Sequence, residues 1–188
     1  ICHLDKFDGD TPFDLNIFLF DEPRDSMVIA TPFAEQKTAF YYNQKIIGMS
    51  AIGTVKCFGK TFTFELGDSF GLLDWGRGVW PFAHEWYWSS VSSLLNGAPF
   101  GFNLGCGFGD ASRARGTENT VYIGHEIVKL GRVMFETESD PMRPWRIASD
   151  DGRFEAVLSP AYDRDTVTKL LFVDNRCHQM FGTFSGRV

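Results

Sequence analysis

No two of the four cysteines in this 188-residue chain are spaced for a metal or a redox motif. Cys2, Cys57, Cys106 and Cys177 stand far apart, with no C-x-x-C. An even number would permit disulfides, but a chain this long can bury enough core without them, so free thiols are expected. Histidine is scarce, at four residues, and no two are ligand-spaced, so no metal site and no cofactor is expected. No P-loop occurs. Gly105-Cys106-Gly107-Phe108-Gly109 superficially suggests a dinucleotide loop, but no helix follows it to hold a pyrophosphate. No apolar run approaches the ~20 residues of a membrane-spanning helix. Basic clusters are missing as well. The 18 Lys and Arg are scattered among 24 Asp and Glu, and a net charge of −6 argues against a nucleic-acid partner. With no Asn-x-Ser/Thr sequon, a cytoplasmic or organellar lumen setting is favoured over secretion.

Aromatic side chains are what the chain has in excess: 19 Phe, 5 Trp and 5 Tyr, beside 19 Gly. Flat rings pack well on pleated sheets, and glycines suit bulges and bends in curved ones. Phe13, Leu15, Ile17 and Leu19 alternate with Asp14, Asn16 and Phe18, the period of two that a half-buried strand needs. Strands are also predicted from Met27, over 40–46 and 47–58, over 60–66, over 84–95 and over 98–108. Asn96-Gly97 between two such runs is a strong hairpin signal, since both residues accept positive φ. Residues 67–83 carry so many glycines that an ordered loop is expected there, and 109–116 reads as an exposed loop. Later strands are expected over 118–123, 126–136, 145–148 and 153–158, with a final one over 167–184 broken near Asp174-Asn175. No sustained 3.6-residue period occurs. The fold class is therefore mainly β and antiparallel, a barrel or sandwich in a single domain over 1–188.

Four of the five tryptophans fall between positions 75 and 88. Trp86 and Trp88 share one strand face with Tyr87 opposite, which makes either a packed core or the wall of a pocket. Asp74 is open to two readings. It clamps the turn by pairing with Arg77, or it lies among indoles as a protonated general acid. Asn103 is polar inside an apolar strand, and Glu118-Asn119 opens the partner strand. Each is either a ligand-orienting group or a partner for loose strand ends. His178 follows Cys177, but neighbours in a strand face opposite ways and cannot share a metal.

Taken in order, Leu73-Asp74-Trp75-Gly76-Arg77-Gly78-Val79-Trp80-Pro81, Gly101-Phe102-Asn103-Leu104-Gly105, Thr117-Glu118-Asn119, Pro144-Trp145 and His178-Gln179-Met180-Phe181-Gly182 form an ordered set. This set resembles the family known as domain of unknown function 2804. The resemblance covers most of the chain and implies that it is the central and C-terminal portion of a longer domain, incomplete at its termini. It also implies a distantly lipocalin-like barrel or strongly curved sheet, an architecture shared with carotenoid hydratases. The family carries no established activity. Thr120 after Glu118-Asn119, and Tyr87 between the tryptophans, depart from its pattern.

Two functions of different class follow as expectations, with a third beside them. The first is binding of a large apolar molecule, lipid or isoprenoid-like, by Trp75, Arg77, Trp80, Trp86, Trp88, Asn103, Asn119, Trp145 and Gln179. The second is a non-catalytic scaffold or complex subunit with a protein partner. The third is a hydratase that protonates an alkene, with Asp74, Glu118 and His178 as catalytic candidates.

Overall fold

The computed structural model describes residues 1–109 and 116–188, and every regular element among them is a strand. The chain divides into two compact units, Ile1–Lys129 and Leu130–Val188. Most of the loop expected over 109–116 lies outside the described residues.

The first unit contains two antiparallel sheets. One comprises β1 (Cys2–Asp8), β2 (Thr11–Phe20), β3 (Met27–Pro32), β4 (Phe40–Cys57), β5 (Lys60–Phe64) and β6 (Phe70–Val79). Its spine is β4. Ser50 pairs with both Phe20 and Phe70, so β2 and β6 occupy opposite edges of that spine. β3 continues along the β2 edge and β5 precedes β6 on the other. The second sheet runs β10 (Glu126–Lys129), β9 (Thr120–Ile123), β8 (Ala98–Cys106), β7 (Tyr87–Leu95). The Asn96-Gly97 turn between β7 and β8 has φ of 52° and 79°, as the dipeptide requires. One sheet of the protein curls into an open, incomplete half-barrel, in keeping with the curved antiparallel architecture expected.

The two sheets of this unit meet across β4. The Gly48 N–H donates to Ser92 Oγ at 3.1 Å, and the Tyr122 hydroxyl donates to the Lys45 carbonyl at 3.1 Å. Ile47, Phe102, Leu104 and Val121 are buried. Full burial of a branched aliphatic side chain stabilises by about 2 kcal/mol. The largest fully buried side chains are aliphatic or polar, whereas Trp75, Trp80, Trp86 and Trp88 stay 37–46% exposed. The indoles therefore border open space and do not fill the core.

Two segment expectations change in the sheet built on β4. The strands expected over 40–46 and 47–58 are one long strand, Phe40–Cys57. The register of β4 against β6 shifts between Ile47 and Met49, so a bulge bends the strand without ending it. Residues 70–79, expected within a loop, are the strand β6. Its glycines answer to close approach. A Cβ on Gly76 would collide with the Tyr41 ring, and one on Gly78 with the Phe40 carbonyl. Glycine in this strand is what lets β4 come near.

The second unit is a four-stranded antiparallel meander, β11 (Val133–Glu136), β12 (Trp145–Ser149), β13 (Glu155–Leu170) and β14 (Val173–Arg187). Ile147, Phe154, Ala156 and Leu158 are buried within it. β13 and β14 form one long hairpin that turns at Leu171-Phe172, earlier than the break expected at Asp174-Asn175. Leu171 takes φ of 50° there. A turn of apolar residues gives no sequence signal of the Asn-Gly kind.

Candidate functional site

Strand alternation puts Tyr41, Asn43 and Lys45 on one face of β4. The register of β6 sets Asp74 directly opposite Lys45, Gly76 opposite Asn43 and Gly78 opposite Tyr41. Two successive glycines facing these larger residues clear a space, and Trp80 follows on the same parity. The second sheet contributes Trp88 from β7, with Trp86 two residues before it. Next to them come Phe108 and Glu118, which flank the ends of β8 and β9. Together Tyr41, Lys45, Asp74, Trp80, His84, Trp86, Trp88, Phe108 and Glu118 line a cavity of about 320 Å³.

Aromatic walls and a charged floor define this cavity. His84 stacks on Trp86 with ring centroids 4.8 Å apart, and Phe108 meets Trp86 and Tyr41 edge-on at 5.5 Å and 4.5 Å. Such offset and edge contacts suit the ring quadrupoles. At the floor the Lys45 side chain is only 4% exposed, and its Nζ lies 2.5 Å from Asp74 Oδ1 and 3.7 Å from Glu118 Oε2. The same ammonium sits 5.0 Å from the centre of the Trp88 ring, within cation–π range. A charge so far removed from water persists only because a carboxylate and an indole face replace its hydration.

Asn103 ties the floor together. It is fully buried; its Oδ1 accepts from the Trp88 indole N–H at 2.8 Å, and its Nδ2 donates to the Glu118 carbonyl at 3.0 Å and to Glu118 Oε2 at 3.1 Å. Asn119 Oδ1 accepts from the Gly105 N–H at 2.7 Å and so joins β8 to the segment before β9. Lys129 donates to the Thr117 carbonyl, to Thr117 Oγ1 at 2.7 Å and to the Asn119 carbonyl at 3.0 Å. Burial lowers the Lys129 pKa to about 8, partly opposed by the Glu118 charge. Burial likewise raises the Cys106 thiol and the Tyr122 hydroxyl.

A smaller cavity of about 30 Å³ shares Tyr41, Phe108 and Glu118 with the larger one. Asn43 lines it, 1% exposed, and its carboxamide N and O make no hydrogen bond among the described residues. An amide buried in this way offers a donor and an acceptor to whatever polar group enters.

Of the residues singled out from sequence, Asp74, Glu118, Trp80, Trp86 and Trp88 converge on the larger cavity, with Asn103 bonded to two of them. Trp75 and Arg77 have the other parity on β6 and face away from Asp74, Trp75 standing edge-on to Tyr42 at 6.0 Å. The Asp74–Arg77 clamp is replaced by the Asp74–Lys45 pair. Asn119 serves the backbone as described. In the second unit, the Trp145 indole N–H donates to the Pro141 carbonyl at 2.9 Å, and Gln179 Oε1 accepts from Arg164 at 3.1 Å. There too His178 Nδ1 lies 2.8 Å from Asp163, a hydrogen bond that raises the imidazole pKa. Sequence reasoning missed Tyr41, Asn43, Lys45, His84 and Phe108. A signal existed for two of them. Asn43 and Lys45 keep the period that leads to buried Ile47, so two polar residues stand on a face bound for the interior.

The family model described as "Domain of unknown function (DUF2804)" matches residues 2–188. No curated protein and no solved structure matches the chain.

Proposed function

The chain belongs to the DUF2804 family, and we propose that it is a binding module for a small molecule with a large apolar surface. The body of the ligand would lie against Tyr41, Trp80, Trp86 and Phe108, with one polar end on the Lys45–Asp74–Glu118 floor. The observation that carries this reading is the cavity itself. At about 320 Å³ it falls within the ~300–1,000 Å³ of ordinary ligand sites, and it pairs aromatic walls with a few convergent polar groups. An aromatic surface left open to water in this way marks a binding site more often than a defect of packing. A scaffold role needs none of these features.

One observation favours the hydratase reading as a second possibility: both carboxylate candidates, Asp74 and Glu118, border the same aromatic cavity. An acid that protonates an alkene must be neutral and free of cations, however, and Lys45 stands against Asp74. Binding without chemistry asks less of the geometry.

The test is mass spectrometry of an organic extract of the purified protein, together with titration of its indole fluorescence by ring-bearing and polyene compounds. A retained ligand, or saturable quenching that weakens about tenfold in Trp86→Ala, is the expected result. Extracts without ligand, and fluorescence indifferent to every compound up to millimolar concentration, would overturn the proposal.

A further inference from the structure

Resting on that binding reading, we infer that the polar end of the ligand is a cation, an alkylated ammonium group. At the cavity floor one ammonium, Lys45, faces two carboxylates, Asp74 and Glu118. The Glu118 charge also acts on Lys129, which is not part of the lining, so the carboxylate left to a ligand is that of Asp74. Lys45 is spent inside the structure: its side chain is 4% exposed and its Nζ is 2.5 Å from Asp74. Asp74, in contrast, is 39% exposed and presents its carboxylate to the cavity.

A purely apolar occupant would strip water from that carboxylate and give nothing back, a costly exchange. A cation offsets the loss. The walls point the same way, because indole and phenol faces are electron-rich and attract ammonium groups. The site already displays this chemistry once, in the Lys45 Nζ held 5.0 Å from the Trp88 ring centre. Trp80 and Trp86, 43% and 46% exposed, offer further rings to an incoming cation.

The experiment compares two probes of one shape, 3-hydroxyphenyltrimethylammonium and 3-tert-butylphenol, by isothermal titration calorimetry on the whole chain. The cation is expected to bind at least tenfold tighter, and to weaken as salt rises while the neutral probe does not. Asp74→Asn is expected to cost the cation about tenfold and to leave the neutral probe within twofold. Should that variant fail to fold, Glu118→Gln and the salt series on the unaltered protein carry the comparison. Equal or tighter binding of the neutral probe would overturn the cation and leave the binding module standing. Binding of neither would overturn both.

Discussion

Gly105 lies beneath the carboxylate of Glu118 with no room between them for a methyl group. The glycine holds Glu118 in place by absence. Gly105→Ala is expected to push that carboxylate off the strand and to break its bond from Asn103 Nδ2. Overpacking of this kind costs about 1–3 kcal/mol. Urea unfolding measures it, and a loss below ~0.5 kcal/mol would mean that Glu118 has another place to go.

Lys45→Met removes the buried cation and leaves Asp74 and Glu118 facing each other. Breaking a buried ion pair from one side costs about 3–5 kcal/mol, and the lower figure is expected because Asp74 is 39% exposed. Asp74→Asn should cost less, since Glu118 remains near Lys45. The double variant Lys45→Met/Asp74→Asn should recover part of the loss, and chemical denaturation of all three decides. Strict additivity would show that the two side chains do not interact.

The pKa of Lys129, lowered to about 8 by burial, fixes the sign of a pH effect. Between about 8 and the ~10.5 of an unfolded lysine, the unfolded chain holds more protons than the folded one. Stability contributed by this group therefore rises with pH across that window, by at most about 1.4 kcal/mol per unit. Below the window, the penalty for burying the charge is felt in full. Subtracting the pH–stability curve of Lys129→Gln isolates the contribution. A flat difference would contradict the burial argument.

In the second unit, Ser149 Oγ donates to Asp151 at 2.7 Å, and Arg153 adds a bond at 2.7 Å. These bonds hold the carboxyl pKa well below the usual carboxylate range, Ser149 contributing most. The stability they supply is present above the unfolded pKa near ~4 and is lost as pH falls below it. Asp151→Asn should destabilise at pH 7 by roughly 1 kcal/mol, kept small by solvent screening. The difference from the unaltered chain should close in acid, and thermal melts at pH 7 and pH 2.5 report it.

The two carboxylates and three of the tryptophans of the site were legible because each breaks a local pattern. Asp74 stands in an aromatic run, and Trp86 and Trp88 share one parity. The strand that carries Asp74 was not legible, because glycine ordinarily ends a strand and here makes room for one. Parity then decided against Trp75 and Arg77: once 70–79 is a strand, Asp74 and its neighbours must point to opposite faces.

Alternation, turn dipeptides and aromatic content determined by themselves that the chain is antiparallel β with curved sheet. Those signals are short in range, set by side-chain direction and by which residues tolerate positive φ. Only the tertiary structure decided that Lys45 meets Asp74, 29 positions away, and that Glu118 joins them. Register between β4 and β6 chooses the first partner, and the packing of the second sheet against β4 supplies the other. Alternation with Ile47 marks the Lys45 face as interior, but neither partner can be read from local sequence, because which strand and sheet meet that face is a long-range choice.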